Sequence, residues 1–276
     1  VTELPVDRSG AISGVVYVHD GQRVIQRCRH VFLCGGAIET PHLLLINGLA
    51  NASGQVGKNF MAHTGLQVWG SFEEMTRPYK GISDGPISEE THRPHDANFA
   101  GGYLLQSIGV MLLTYAGQVA RGRGPWGDAL VRHMRGYNHV AGINILGKCL
   151  PHNDNDLLLS NELDGRGLPK PLIRFTAHDN EVQLTAHADR LMRLIWEAAG
   201  AHDLWAYERY AHTIGTARMG RNSRTSVVNA DRRAHDVINL TICDNSVFPS
   251  ALAANPALTI MALSLRTADR FLANEP

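Results

Sequence analysis

The sequence predicts an α/β protein, and three patterns carry that reading. A compact apolar strand, His30-Val31-Phe32-Leu33-Cys34, runs into Gly35-Gly36 and then into a leucine-rich helical stretch. The segment His178–Ala199 sets Val182, Ala186, Leu191, Leu194, Ile195 and Ala198 at helical spacing and stops at Gly200. Near the C-terminus a second strand, Asn239–Cys243, is followed by Asp244-Asn245-Ser246 and by a long helix opening at Asn255-Pro256.

The remaining elements follow in chain order. Val1–Val6, Ala11–Val18 and Arg23–Arg27 are β-prone runs separated by the turns Asp7-Arg8-Ser9-Gly10 and Asp20-Gly21, which reads as a meander. After Gly35-Gly36, Thr40 is placed to cap a helix, Pro41 to begin it and Gly48 to end it. From Gly54 to Gly200 glycine and proline are frequent and aromatic residues fall in loops such as Arg123-Gly124-Pro125-Trp126-Gly127. That texture predicts an irregular sheet with long connections, a design suited to binding a substrate. Tyr210–Gly220 reads as a glycine-punctuated loop. The final helix is expected to run through Ile260, Met261, Leu263, Leu265, Ala268 and Phe271.

Composition removes several function classes. Across 276 residues Lys+Arg and Asp+Glu are both 26, so there is no basic excess of the kind a nucleic-acid partner requires. The longest apolar stretch, Val31–Ala50, is broken by Gly35-Gly36, Glu39 and Pro41 and is no membrane span. Cys28, Cys34, Cys149 and Cys243 form no C-x-x-C pair and read as ordinary thiols. His92-Arg93-Pro94-His95 lacks metal-ligand spacing and reads as a solvated loop, and Arg132, His133 and Arg135 as an exposed basic face. No metal ligands are assigned.

Three places carry candidate chemistry. Gly35-Gly36 at a strand end lets a cofactor approach the main chain, with free N–H groups on the following helix; the same pattern also serves plain packing. Asn255-Pro256 is an ordinary helix cap, or the positive helix end aimed at a group that becomes negative during turnover. His212, in Ala211–Gly220, sits on glycine-rich backbone and titrates near neutrality, as proton transfer requires.

Taken together the motifs resemble the glucose–methanol–choline (GMC) oxidoreductases. Gly36–Gly48 is similar to that family's second signature, with Asn47 where serine is usual, and Val56–His63 is similar to the segment that follows it. His212–Gly220 matches a His-x-x-Gly-Thr-x-x-Met-Gly pattern. Ser226-Val227-Val228, Asn239-Leu240, Asp244–Pro249 and Asn255–Thr259 follow in the family's order; Ser71–Asn138 supports the resemblance least. It implies FAD-dependent oxidation of an alcohol or sugar CH–OH group, with hydride passing to the flavin. His212 would accept the hydroxyl proton, Asn255 would hold the same oxygen, and Gly35, Gly36, Ala37, Asp244, Asn245, Pro256 and Thr259 would lie at the cofactor. A cyanohydrin lyase with FAD, or a non-catalytic remnant, are the alternatives.

The resemblance also implies an architecture. An FAD-binding part is built from both chain ends, 1–60 and 206–276, around a mainly antiparallel substrate part, 61–205. The strand–Gly-x-Gly-x-x-Gly–helix unit that opens such enzymes does not begin this sequence, where the only match to that spacing, Gly122–Gly127, lies mid-chain and holds Pro125, and Val1 is not an initiator Met. A complementary N-terminal FAD-binding half or subunit is therefore expected, with weak FAD binding by this chain alone. An electron-transfer subunit is a further partner the family allows.

Overall fold

The protein is described from a computed structural model covering residues 1–82, 85–95 and 97–273. In chain order the elements are β1 (Gly14–His19), β2 (Gln22–Arg27), β3 (Val31–Leu33), α1 (Gly36–Asn47), β4 (Met61–Ser71), β5 (Ile87–Ser88) and β6 (Tyr103–Ile108). They continue with α2 (Leu112–Arg123), α3 (Asp128–Met134), β7 (Val140–Gly147), β8 (Asp156–Leu163), β9 (Pro169–Arg174), α4 (Asp179–Ala198), β10 (His202–Ile214), β11 (Leu240–Ile242) and α5 (Ala257–Ala273).

The N-terminal hairpin is the one its turn chemistry dictates. Asp20 and Gly21 both take positive φ, 48° and 74°, and join β1 to β2 in antiparallel register. Val1–Val6 does not become a full strand. Pro5 offers no N–H there, and the segment contributes only the bridges Glu3–Val16 and Val6–Ile12.

Helix α1 begins four residues before Thr40, which corrects the cap assignment. Gly35 is the cap and Gly36 enters the helix with φ 82°. Pro41 is therefore internal, where its missing N–H deprives the Ala37 carbonyl of a partner. That carbonyl is met from outside the helix: the Thr216 hydroxyl donates to it at 2.9 Å. Thr40 has a different task, accepting from Gly35 N at 3.0 Å and donating to the Asp244 carboxylate at 2.6 Å. Gly48 ends the helix in the left-handed region, as its position predicts.

The main sheet has the strand order β10-β4-β7-β6-β5 with every pairing antiparallel, and it has two distinct faces. Side chains alternate along each strand, so Leu66, Val68, Tyr103, Leu105 and Ile145 share one face and pack on Leu184, Ala188 and Met192 of α4. Gly147 lets α4 approach, since a Cβ there would lie 2.6 Å from Leu184. On the opposite face Trp69 and Trp205, register partners, stack at 6.2 Å beneath Tyr115 and Val119 of α2.

The loop expected at Arg123–Gly127 is present at 124–127, but helices α2 and α3 flank it where longer irregular connections were expected. Gly117 and Gly122 lower helical propensity and mask the pattern. Gly122 is there for packing: a Cβ would lie 2.9 Å from the Trp205 ring. His133, assigned to an exposed basic face, is half-buried and hydrogen-bonds Tyr115 at 3.2 Å.

The two chain ends meet in a third body of structure. β3 and β11 pair in parallel, and Leu4, Ile12, Val31 and Leu44 share a core with Ile214, Val228, Leu240 and Phe248. Within it Arg232 is 1% exposed. Its guanidinium donates to Thr267 Oγ1 (Nε at 2.6 Å) and to the Leu263 carbonyl, while Nη1 has no partner.

Candidate active site

The site grows out of an irregularity in β10. Ala211 pairs with His63 and Ile214 with Met61, so His212 and Thr213 together oppose the single residue Ala62. Such a bulge re-aims a side chain. His212 has φ 51°, and Thr216, a β-branched residue for which positive φ is a true outlier, has φ 83°. Strained backbone of this kind concentrates at functional sites.

His212 and Asn255 come together, although 43 residues separate them: Asn255 Nδ2 donates toward His212 Nε2 at 3.5 Å. On the other side of the ring, His212 Nδ1 faces His63 Nδ1 at 3.0 Å. His63 is 0% exposed, and its Nε2 lies 2.5 Å from the Leu252 carbonyl. Burial chiefly, then the neighbouring His212, pushes its pKa down to about 4, so it is neutral near pH 7.

These contacts determine the tautomers. A carbonyl only accepts, so His63 carries its proton on Nε2 and leaves Nδ1 bare. His212 must then donate from Nδ1, which leaves its Nε2 lone pair facing Asn255 and the open space beyond. Burial, and secondarily Arg209, hold the His212 pKa below its ordinary value. The result is a neutral imidazole presenting an acceptor nitrogen at neutral pH.

His63 also ties stability to pH. Its folded pKa lies below the ordinary 6.5 of an unfolded histidine, so the unfolded chain binds more protons between them. Stability is complete above pH 6.5 and falls as pH drops toward 4, by about 3 kcal/mol for this one group. In urea titrations across that interval, His63→Phe is expected to remove most of this acid sensitivity; an unchanged pH slope would contradict it.

The ring faces a cavity of about 310 Å³ whose walls include Gln67, Gln106, Asn144, Arg209 and Asn255. Of these residues sequence reasoning singled out Asn255, but not His63, Gln67, Gln106, Asn144 or Arg209. His63 lies at the end of the Val56–His63 segment, and alternate positions of β4 are polar at His63 and Gln67, the signal that was available.

A second cluster forms at the C-terminal ends of β3 and β11. Asp244 accepts from Gly36 N at 2.9 Å, Thr40 Oγ1 and Ser246 N, so its carboxylate is fully engaged within the protein. Asn245 links this cluster to His212: its Nδ2 donates to the Thr213 carbonyl at 2.5 Å and its carbonyl accepts from Gly215 N at 3.1 Å. Pro256 is buried and Thr259 half-buried at the start of α5, beside Asn255. Helix α5 starts one residue later than expected, its first bond running from Ile260 N to Pro256 O.

The expected dinucleotide cofactor fits this end of the molecule. A cleft of about 420 Å³ opens beside Cys34, Gly35 and Thr40, at strand C-termini where open α/β sheets bind ligands. Gly36 has φ 82°, a backbone conformation that favours glycine, at the turn from β3 into α1 beside this cleft.

Comparison with known proteins gives a consistent result. Two family models, both described as GMC oxidoreductase, match residues 4–65 and 151–264. A 2-methyl-1,2-propanediol dehydrogenase from Mycolicibacterium austroafricanum is 31% identical over 95% of this chain and 51% of its own length. The large subunit of fructose dehydrogenase from Gluconobacter japonicus is 29% identical over 87% of this chain and 46% of its own length. A formate oxidase structure from Aspergillus oryzae superposes with TM-score 0.72 at 16% identity, covering 99% of this chain and 60% of that one. The chain thus spans about half the length of the curated relatives it matches. Among the described residues, no helix is long and apolar enough to cross a membrane.

Proposed function

The chain belongs to the GMC oxidoreductases, and from that premise we propose that it carries the hydroxyl-activating site of an FAD-dependent oxidoreductase acting on alcohol or sugar CH–OH groups. One observation carries the reading: two side chains distant in sequence, His212 and Asn255, converge on one polar cavity with the imidazole acceptor nitrogen exposed to it. When bound, FAD supplies the two-electron acceptor for the carbinol hydride. Gly35, Gly36, Ala37 and the main chain of Asp244 and Asn245 would hold it, with Pro256 and Thr259 at the start of α5.

The chain's own residues do the proton work. His212 Nε2 accepts the hydroxyl proton as the C–H bond breaks, which keeps the departing hydride from leaving a cationic carbinol behind. Asn255 donates an amide hydrogen to the same oxygen and adds no charge of its own. The proton on His212 Nδ1 stays directed at His63, whose other nitrogen is pinned by Leu252. The ring is thereby prevented from turning its N–H toward the substrate. The N-terminus of α5, oriented by Pro256, contributes positive potential to this end of the site.

In this reading residues 1–60 and 206–276 form the cofactor part and 61–205 the substrate part. A complementary FAD-binding half or subunit would supply the remaining cofactor contacts. An electron-transfer subunit would be the partner that reoxidises the flavin; the fructose dehydrogenase relative is itself named as a large subunit.

The test is anaerobic mixing of the protein, completed by its FAD-binding half and loaded with FAD, with alcohols and sugars. Bleaching of the visible flavin band is expected, with kcat/KM level above pH 6.5 and declining below the depressed His212 pKa. A flavin that stays oxidised with every CH–OH compound, yet turns over a cyanohydrin, would replace this reading with the lyase one.

A further inference from the structure

The wall of the cavity opposite His212 carries a pattern that proton abstraction does not require. Gln67 on β4 pairs with Asn144 on β7, and Asn144 pairs with Gln106 on β6. Three primary amides therefore stand side by side across three adjacent strands, on the face turned away from α4. Alternation places them there: Leu66 and Val68, the neighbours of Gln67, point into the α4 core, as do Ile143 and Ile145, the neighbours of Asn144.

Two of the amides are nearly inaccessible, Gln67 at 1% and Asn144 at 5% exposure. Gln67 Oε1 is occupied by the Trp69 indole N–H at 3.2 Å, which fixes the amide with its Nε2 donor turned the other way. That Nε2 has no partner, and neither has Asn144 Oδ1. A buried donor and a buried acceptor are thus left unsatisfied on one wall of a cavity, against the strong tendency of buried polar groups to be paired. A hydroxyl group answers both at once, because it accepts one hydrogen bond and donates another. Arg209, register partner of Gly65 one step along the same face, adds a donor fork at the cavity. An aliphatic chain against this wall would leave all of these groups desolvated and unpaired.

We propose that the Gln67–Asn144–Gln106 amide row is a recognition subsite for a second hydroxyl of the substrate, so that the preferred substrates are polyhydric alcohols and sugars. This rests on the oxidoreductase reading above and narrows it. The reacting hydroxyl lies between His212 and Asn255, and a neighbouring carbon presents its hydroxyl to Gln67 Nε2 and Asn144 Oδ1. The subsite discriminates more than it accelerates: a site built to hydrogen-bond a hydroxyl rejects the deoxy analogue because its own buried groups are left bare.

The experiment compares matched pairs on the FAD-loaded protein: glycerol against propan-1-ol, and xylitol against pentan-1-ol, by kcat/KM and by anaerobic flavin reduction. In the unaltered protein the polyol is expected to be preferred by about 10²-fold or more, below the 10⁴–10⁵ limit for a fully enclosed hydroxyl site. Gln67→Leu and Asn144→Leu should each lower that preference at least tenfold, chiefly through KM of the polyol. Gln106→Leu, at a half-buried position, serves the same comparison should either core variant fail to fold. Equal kcat/KM for polyol and mono-alcohol in the unaltered protein, or a preference that the leucine variants leave intact, overturns the subsite and leaves the oxidoreductase reading standing. A flavin that no alcohol of either kind reduces removes both.

Discussion

Replacing His212 with alanine is expected to lower kcat/KM for any alcohol substrate by about 10²–10⁴-fold, the range for loss of a positioned general base. The change should fall on hydride transfer and leave cofactor retention intact. The imidazole touches His63 and Asn255, whereas the Gly36 cluster is held by Asp244 and Thr40. The residual activity should also lose its acid limb, since the group responsible for it is gone. Flavin content measured beside single-turnover reduction separates the two effects. A variant that keeps its flavin and is reduced at the unaltered rate would remove His212 from the chemistry. Loss of flavin would instead assign it a structural role, through the link from Thr213 and Gly215 to Asn245.

The second large effect concerns stability and has the opposite sign. Arg232→Met should stabilise the protein, since it removes a buried charge with only neutral hydrogen-bond partners; whole buried ion pairs replaced by apolar side chains of similar volume gain up to about 1–4 kcal/mol. Arg232 is enclosed beneath α5, and its hydrogen bonds go to a hydroxyl and a helix carbonyl, both neutral. Nearby Asp244 spends its carboxylate on Gly36, Thr40 and Ser246. Burial accordingly depresses the Arg232 pKa, the direction expected of a cation whose desolvation is poorly compensated. The urea midpoint should rise with unchanged slope. A fall instead would mean that the guanidinium is held by more than its two neutral partners and that its charge is part of how the β3–β11 end is assembled.

Much of the secondary structure was legible because it follows local rules. The hairpin at Asp20-Gly21, the strand before Gly35-Gly36, the glycine stop at Gly48 and the existence of α4 each depend on a few neighbouring residues. Yet Val182, Ala186, Leu194, Ile195 and Ala198, which marked α4, face solvent, while Leu184, Ala188 and Met192 face the sheet. The misreadings have a common cause in distant contacts. Pro41 looked like a first helical residue because its cost inside a helix is met by Thr216, 175 positions along the chain. Gly117 and Gly122 hid α2, and the reason for Gly122 is the Trp205 ring of another strand. Val1–Val6 looked like a strand because its side chains are β-prone, yet Pro5 interrupts the ladder.

His212 and Asn255 were marked by motif order in the sequence, together with the glycines and the Asp244-Asn245 pair, because family motifs preserve residue identity along the chain. Which groups meet, and in what protonation state, was decided by the tertiary structure alone. The bulge opposite Ala62, the buried His63 that dictates the His212 tautomer, and the amide row across β4, β7 and β6 all arise from strands that are remote in sequence. Register between strands is a long-range property: a shift of one residue would turn Gln67 and Asn144 into the α4 core and empty the cavity wall of its hydrogen-bonding groups.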